Sequence, residues 1–263
     1  MTIRRCILIK EIILSDDECL DHVNENIDLI QKKNGLRFGT DALLLASFVR
    51  EKKNAIASDL GCGTGIISLL LLARGKCKKI HAIDVQHDFC ILARKNAEHN
   101  GFSDRMICHE ADVRDLTPSV FGAELDIIVC NPPYMRDKAG RSNLSDAKNI
   151  ARHEVFGDIG DFAAAAKKCL KFGGLFYLVY RPDRMCDLIC ALRENSLEPK
   201  RITMVYPDTE SIPSMMLVEA KLGGAPGCVV TRPLIVYRDG KKISPRIFSS
   251  DMQSVYDTGN LLL

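Results

Sequence analysis

The residues best suited to chemistry are four consecutive positions, Asn131-Pro132-Pro133-Tyr134, which follow an apolar run. Two prolines in a row remove two backbone donors and stiffen the chain. A stiff loop can aim the side-chain oxygen of Asn131 and the backbone carbonyl of Pro132 at one point. Two such acceptors match the two hydrogens of a planar –NH2 group, and the ring of Tyr134 offers a flat face for stacking. The tetrapeptide therefore indicates chemistry on a planar amino or amide nitrogen.

Such a nitrogen is a poor nucleophile because its lone pair is delocalised. Acceptors placed for the developing N–H dipoles favour the tetrahedral geometry in which the lone pair becomes available. A nitrogen prepared in this way can attack an activated electrophile held beside it, and neither a metal nor a strong base is required. The competing interpretation is a structural turn that carries two prolines.

A second set of candidate functional residues lies before the tetrapeptide in the sequence. It consists of a glycine loop with the aspartate that precedes it, and of two aspartates that end or follow the next two apolar runs. Asp84 is placed to accept the two hydroxyls of a ribose, and Asp112 to reach an adenine amine. Asp59 precedes the loop and is placed to take the ammonium of a methionine moiety. The loop glycines allow a tight turn and close approach of a ligand. They are Gly61, Gly63 and Gly65.

Each of these carboxylates alone is explained equally well as a solvated loop charge. Three of them at successive strand ends, together with the glycine loop, are typical of a nucleoside-binding site. The spacing G-x-G-x-G differs from the G-x-G-x-x-G of dinucleotide enzymes and disfavours a nicotinamide oxidoreductase.

Alternating strands and helices must position these residues, and the hydrophobic pattern predicts them after about residue 55. Strands are predicted at 56–60, 79–84, 105–109, 125–130, 175–180, 200–206 and 215–220, and helices at 66–74, 88–100, 159–170 and 182–195. The last two strands have no helix-length segment between them and should pair antiparallel. We therefore expect an α/β fold with a doubly wound, seven-stranded, Rossmann-like sheet, mostly parallel with an antiparallel last strand. Ligands of such sheets bind at the carboxyl ends of the strands.

Length and composition fit one domain with small additions. The 263 residues carry a net charge of only +2, so composition alone gives no argument for nucleic acid. We divide the chain into an N-terminal extension (1–54), a core (55–221) and a C-terminal extension (222–263), in which turns and hairpins are predicted and the last ten residues are a candidate for disorder. The 11 scattered cysteines indicate reduced thiols. We expect a cytoplasmic monomer without a membrane span or a metal site.

The glycine loop and its acidic followers resemble the motifs of class I S-adenosylmethionine-dependent methyltransferases over about residues 35–220. The tetrapeptide resembles the motif of methyltransferases that act on exocyclic amines and on glutamine amides. Further segments extend the similarity to about residue 240, and together they resemble the bacterial tRNA(Val) adenine-N6-methyltransferase family. These segments are 34–42, 150–154, 198–202, 223–227 and 233–237.

This resemblance implies that S-adenosyl-L-methionine is the cofactor and that the substrate is the adenine 3′ to the anticodon, in the anticodon loop of tRNA(Val). It implies that Phe38 packs on the methionine moiety and that Thr40 binds its polar end, although a helix N-cap at Thr40 or Asp41 explains that segment equally well. Asn131 would contact the cofactor as well as the amine. Substrate contacts are implied for Tyr134 and for basic residues that include Arg136, Arg141 and Arg152.

Two other functions share part of this pattern. A protein glutamine-N5 methyltransferase acting on release factors needs the same tetrapeptide. Those enzymes carry a helical domain before the core, and residues 1–54 lack the pattern of a helical bundle. A non-catalytic, cofactor-binding RNA module would not need to keep Asn131. The sequence thus favours N6-methylation of an adenine in RNA, with the glutamine-N5 activity as the alternative.

Overall fold

The computed structural model describes residues 14–34, 37–132, 157–240 and 245–261. The strands in these ranges are β1 (Glu18–Asn24), β2 (Ile27–Lys32), β3 (Ile56–Leu60), β4 (Lys79–Asp84), β5 (Met106–Glu110), β6 (Leu125–Cys130), β7 (Leu170–Tyr180), β8 (Leu197–Tyr206), β9 (Met215–Leu222), β10 (Val229–Val230) and β11 (Leu234–Ile235). The helices are α1 (Thr40–Phe48), α2 (Ile66–Ala73), α3 (His87–His99), α4 (Pro118–Phe121), α5 (Ile159–Cys169), α6 (Met185–Glu194) and α7 (Ser250–Thr258).

One large sheet organises the molecule, with strand order β10-β8-β9-β7-β6-β3-β4-β5 and with β11 also paired to β8. The neighbours from β7 to β5 are all parallel, whereas β9 lies antiparallel between β7 and β8. The seven core strands, β3 to β9, therefore confirm the predicted doubly wound sheet with an antiparallel last strand.

Helices cover both faces of this sheet because successive strand residues point to opposite sides. On β6, Ile127 and Val129 belong to one apolar core, while Ile128 and Cys130 belong to the other. The first core is shared with α1, α2, α3 and α7, and the second with α4, α5 and α6. A strand buried on both faces explains why residues 127–130 are all apolar.

The N-terminal hairpin of β1 and β2 is tied to the core by one buried amide, that of Asn96 on α3. Its side chain accepts a hydrogen bond from the backbone amide of Ile30 at 2.7 Å and donates to the Ile30 carbonyl at 3.0 Å. The same NH2 group donates to the backbone carbonyl of Thr64 in the glycine loop at 2.9 Å. The hairpin and the glycine loop are therefore held by the same side chain.

Helix α1 is also part of the core, although it lies within the predicted N-terminal extension. Its residues 42–48 are all buried. The ammonium of Lys76, itself buried, donates to the carbonyls of Ala46, Ser47 and Val49 at 2.9, 2.8 and 2.7 Å. A cation at these otherwise unpaired carbonyls stabilises the helix end. This contact fixes the position of α1 against the loop that follows α2.

The observed elements depart from the predicted ones mainly near the C-terminus. Strand β8 begins earlier than predicted because Pro199, which cannot donate a backbone hydrogen bond, lies at an irregularity in its pairing with β9. In the C-terminal extension, β10 and β11 pair parallel to β8, and Tyr237 forms an antiparallel bridge with Phe248. Helix α7 extends into the last ten residues, which were the candidate for disorder. No helix within the described ranges has the length and apolar character that crossing a membrane requires.

Candidate active site at the carboxyl edge of the sheet

Strand register brings the predicted site segments together at one edge of the sheet. Leu60 at the end of β3 pairs with Ile83 on one side and with Cys130 on the other. Neighbouring strands lie about 5 Å apart, so the residues that follow these three lie side by side at this edge of the sheet. Those residues are Gly61, Asp84 and Asn131. The structure therefore places the glycine loop between the acidic end of β4 and the start of the tetrapeptide.

The glycine loop is a tight turn whose own amides are largely engaged within the protein. The backbone amides of Gly61 and Cys62 both donate to the carbonyl of Ile83 at 2.9 Å. The amide of Gly65 donates to the carbonyl of Cys62, also at 2.9 Å. The three glycines have φ values of 72°, 54° and 83°, which other residues rarely adopt. Their first role is thus to give the turn its shape.

Two of these glycines face different surroundings. A Cβ built on Gly63 would meet no atom within 4 Å, so the crest of the loop is open to a ligand. A Cβ on Gly65 would lie 2.4 Å from the methyl carbon of Met106 and 3.4 Å from the Cβ of Ala93. Gly65 therefore allows α2 to pack closely on its neighbours, whereas Gly63 leaves room for a bound molecule.

Asp84 lies beside the open crest and has little exposed surface. Its Oδ2 accepts a hydrogen bond from the Gly63 amide at 2.8 Å, and its Oδ1 accepts one from the Gln86 amide at 2.9 Å. Burial raises the pKa of the Asp84 carboxyl, and these amides partly oppose that rise. Because a carboxylate offers about four acceptor positions, Asp84 can accept further hydrogen bonds, and its contact with a ribose stays a prediction.

Asp59 is fully buried beneath the loop. Its Oδ2 accepts a hydrogen bond from the hydroxyl of Ser68 on α2 at 2.8 Å, and its Oδ1 makes no hydrogen bond within the described part of the chain. Burial raises the pKa of Asp59 to about 7. Since the protein covers this carboxyl, its contact with the cofactor ammonium stays a prediction.

Asp112 follows β5 and is bonded mainly to its neighbour Arg114. Its Oδ1 accepts from the backbone amide and from Nε of Arg114, both at 2.9 Å, and its Oδ2 accepts from a terminal guanidinium nitrogen at 2.5 Å. These hydrogen bonds hold the pKa of Asp112 below its usual value. The carboxylate thus caps a short 3-10 turn, and its contact with an adenine amine stays a prediction.

Asn131 has a partner that the sequence did not suggest. Its side-chain Nδ2 donates to Oδ2 of Asp41, at the start of α1, at a distance of 2.8 Å. The residue that caps α1 is Gly39, without a side-chain hydrogen bond, so the alternative of a cap at Thr40 or Asp41 was wrong. The sequence contained a partial signal, since Asp41 follows Gly39 in the segment 34–42. No local pattern, however, indicated that its partner would be a residue 90 positions away.

Of the remaining predicted site residues, the structure describes three. Phe38 is half-buried against the core that contains α1, and its amide donates to the side-chain oxygen of Gln31 at 3.0 Å. Thr40 is the first residue of α1. Pro132 is buried at the end of β6. The other predicted residues lie outside the described ranges, and they are Pro133, Tyr134, Arg136, Arg141 and Arg152.

Comparison with known proteins now gives the family. The sequence profile of the methyltransferase small domain matches residues 32–194. The tRNA1(Val) (adenine(37)-N6)-methyltransferase of Parabacteroides distasonis is 31% identical over 188 residues, which cover 71% of this chain and 77% of that protein. The chain belongs to the methyltransferase small domain family. The Vibrio cholerae protein of the same description is 25% identical and aligns over 78% of this chain and 82% of its own length. These matches confirm the resemblance to tRNA(Val) adenine-N6-methyltransferases that was found in the sequence.

Solved structures share the fold of this methyltransferase. A predicted O-methyltransferase from Agrobacterium tumefaciens superposes with a TM-score of 0.66 at 22% identity, over 84% of this chain and 97% of the other. Pyrococcus horikoshii TYW2 in complex with MeSAdo superposes with a TM-score of 0.55 at 16% identity, over 80% and 73% of the two chains. Both confirm the class I methyltransferase architecture.

S-adenosyl-L-methionine is therefore the cofactor, and the residues present fit it. The open crest at Gly63 provides space for the ligand. The carboxylate of Asp84, bonded to that crest, lies where it could accept from the hydroxyls of the ribose, and this contact stays a prediction. Within the described residues, no group of three or more His, Cys, Asp or Glu side chains is arranged to hold a metal ion.

Proposed function

We propose that this protein transfers the methyl group of S-adenosylmethionine to N6 of adenine 37 in tRNA1(Val), the reaction for which its relatives in Parabacteroides distasonis and Vibrio cholerae are named. The observation that carries the proposal is the pairing of Leu60 with Cys130. This pairing brings Asn131, the first residue of the tetrapeptide proposed to bind the amine, directly beside the glycine loop. An amine held at Asn131 is therefore next to the cofactor.

The chain's own contribution is to hold the amine and make its lone pair available. The side-chain oxygen of Asn131 and the carbonyl of Pro132 would accept the two N–H bonds of the adenine amine. As the nitrogen becomes tetrahedral its N–H dipoles grow, so these acceptors bind the transition state better than the planar amine. Bound S-adenosylmethionine supplies the electrophilic methyl group. The surplus proton on the methylated nitrogen then leaves to water.

The target base has to leave its stack to reach this edge of the sheet. A base inside a helix cannot present its amine to residues at the bottom of a cleft, and a loop base is cheaper to turn out than a paired one. Tyr134 is proposed to stack on the extruded adenine. Arg136, Arg141 and Arg152 are proposed to bind flanking phosphates, so that affinity for tRNA should fall as salt concentration rises. We place the reaction in the cytoplasm, together with its substrate.

The test is methylation of unmodified tRNA1(Val) transcripts, followed by mass spectrometry of the nucleosides. We expect N6-methyladenosine, and we expect it to disappear when adenine 37 is replaced by guanine. Release factor in a parallel reaction, analysed as peptides, tests glutamine methylation. Methylglutamine together with unmodified tRNA would contradict the proposal. Asn131→Ala serves as the inactive control that excludes a contaminating methyltransferase.

A further inference from the structure

The carboxylate of Asp41 joins two parts of the chain that the fold brings together. Its Oδ1 accepts from the backbone amide of Ala42 at 3.0 Å, which ties it to the start of α1. Its Oδ2 accepts from Nδ2 of Asn131 at 2.8 Å. Both oxygens are thus engaged, and the carboxylate is held in one place by its own helix while it contacts the tetrapeptide.

Gly39 provides the space for this arrangement. A Cβ at that position would lie only 2.6 Å from Oδ1 of Asp41. The φ of Gly39 is −112°, a value open to any residue, so backbone conformation gives no reason for a glycine there. The reason is the position of the Asp41 carboxylate, which any side chain at 39 would displace.

The chemistry of the pair fixes which way the Asn131 amide points. An asparagine side chain has a donor end and an acceptor end of nearly equal shape, and its orientation is decided by its partners. An ionised carboxylate only accepts hydrogen bonds, so it must face the NH2 end. The carbonyl end is then directed away from Asp41. A methyl-accepting amine brings N–H donors, and only the carbonyl end of Asn131 is complementary to them.

We propose that Asp41 is a positioning residue, which holds the Asn131 amide in the one orientation that can accept a hydrogen bond from the substrate amine. This inference rests on the proposed function. Without Asp41 the NH2 end of Asn131 loses the acceptor that selects this orientation, and the preference for presenting the carbonyl to the amine falls. Because the carboxylate is attached to α1 and not to the tetrapeptide loop, the orientation is set before substrate binds, as preorganised catalysis requires.

The direct test is Asp41→Asn, a change that keeps size and shape. An asparagine at 41 can present either end to Asn131 and no longer selects an orientation. We expect kcat for adenine methylation to fall about tenfold or more, the effect of losing a charge-assisted hydrogen bond. We expect KM for tRNA and the affinity for S-adenosylhomocysteine to stay within about twofold. Asp251→Asn is the matched control, since Asp251 is also an aspartate in the first turn of a helix and is bonded to a distant side chain, that of Arg232 at 2.7 Å.

Exchanging the two groups separates positioning from a structural role. Asn131→Asp alone places two carboxylates in contact, and they can remain in contact only while one of them carries a proton. Activity of this variant should therefore fall as pH rises and the pair loses that proton. The double variant Asp41→Asn/Asn131→Asp restores an amide facing a carboxylate and leaves a carboxylate oxygen for the amine. We expect it to be at least about tenfold faster than Asn131→Asp at pH 8 and to lack that pH dependence.

Gly39→Ala perturbs the carboxylate without changing either partner, and it should lower kcat in the same way as Asp41→Asn. Thermal unfolding of every variant checks that the fold is intact. Wild-type kcat in Asp41→Asn, or a double variant whose loss is the product of the two single losses, would overturn the inference. A wild-type enzyme that does not methylate the adenine would instead overturn the proposed function, and this inference with it.

Discussion

The backbone amide of Gly63 donates a hydrogen bond to the carboxylate of Asp84 at 2.8 Å, which joins the crest of the glycine loop to the end of β4. The two residues belong to separate strand ends and meet because Leu60 and Ile83 pair in register. The acidic residue therefore has two tasks. It holds the loop in shape, and we propose that it also accepts hydrogen bonds from the ribose of the cofactor.

Replacing Asp84 by alanine should weaken cofactor binding strongly. Charge-assisted hydrogen bonds contribute about 1.5–3 kcal/mol, so we expect the Kd for S-adenosylhomocysteine to rise roughly ten- to hundredfold. Calorimetric titration measures this, with Asp187→Ala on the exposed side of α6 as the control. Affinity for tRNA should change little. An unchanged Kd would remove Asp84 from the cofactor site.

The buried carboxyl of Asp59 should make stability depend on pH. Its folded-state pKa of about 7 lies above the usual value of 3.8. The folded protein therefore binds more protons than the unfolded chain between these values, and the free energy of unfolding falls as pH rises through this window. Asp59→Asn should remove this loss. We expect the Tm of the variant minus that of wild type to grow by several degrees between pH 5 and pH 8, corresponding to roughly 1–3 kcal/mol.

Thermal unfolding across that pH range without cofactor provides the measurement. Asp187→Asn, a change at an exposed carboxylate, is the control and should follow wild type. Parallel Tm curves for Asp59→Asn and wild type would show that Asp59 does not titrate in this window.

Gly65→Ala should mainly lower stability, whereas Gly63→Ala should mainly lower cofactor affinity. At Gly65 the new methyl would meet the side chain of Met106 at 2.4 Å in a backbone with φ of 83°. We expect a loss of about 2–4 kcal/mol in the free energy of unfolding.

At Gly63 the methyl meets open space, so the loss should be about 1–2 kcal/mol from backbone strain alone. Its Cβ would instead occupy space proposed for the cofactor, so affinity for S-adenosylhomocysteine should fall. Urea unfolding and calorimetry on both variants distinguish these effects, and equal destabilisation would contradict the contrast.

Asn131→Ala should nearly abolish turnover while leaving the fold and most cofactor affinity intact. Removal of one preorganised polar group typically lowers the rate by about 10²–10³. Single-turnover methylation of tRNA gives the rate of the chemical step, and calorimetry gives the cofactor affinity. A large loss of cofactor affinity with an unchanged single-turnover rate would assign Asn131 to cofactor binding instead of catalysis.

The sheet could be predicted from sequence because its signals are local. The apolar run of residues 127–130 is buried on both faces and indicates a central parallel strand, and the glycines after β3 mark the turn into α2. The C-terminal strands β10 and β11 were missed since each has two residues and is defined by pairing with β8, which no local pattern records.

The positions of the site residues at strand ends could be predicted from the sequence, but their tertiary contacts could not. Gly61, Asp84 and Asn131 follow strand ends, and parallel strands bring such ends together. The contact of Asp41 with Asn131 depends on how α1 docks against the sheet, which is a matter of tertiary packing. Likewise, the distinction between the open Gly63 and the packed Gly65 depends on Met106 and Ala93, which come from other elements.

The two short strands of the C-terminal extension also cover one edge of the sheet. β10 and β11 occupy the outer edge of β8 at Arg201 and Ile202 and again at Val205 and Tyr206. An uncovered strand of this length would present a row of unpaired backbone groups on which another chain can assemble. The edge that remains consists of strands of two residues, too short to serve as a template. A segment remote from the chemistry thereby shields this edge of the catalytic sheet, while β5 forms the other edge.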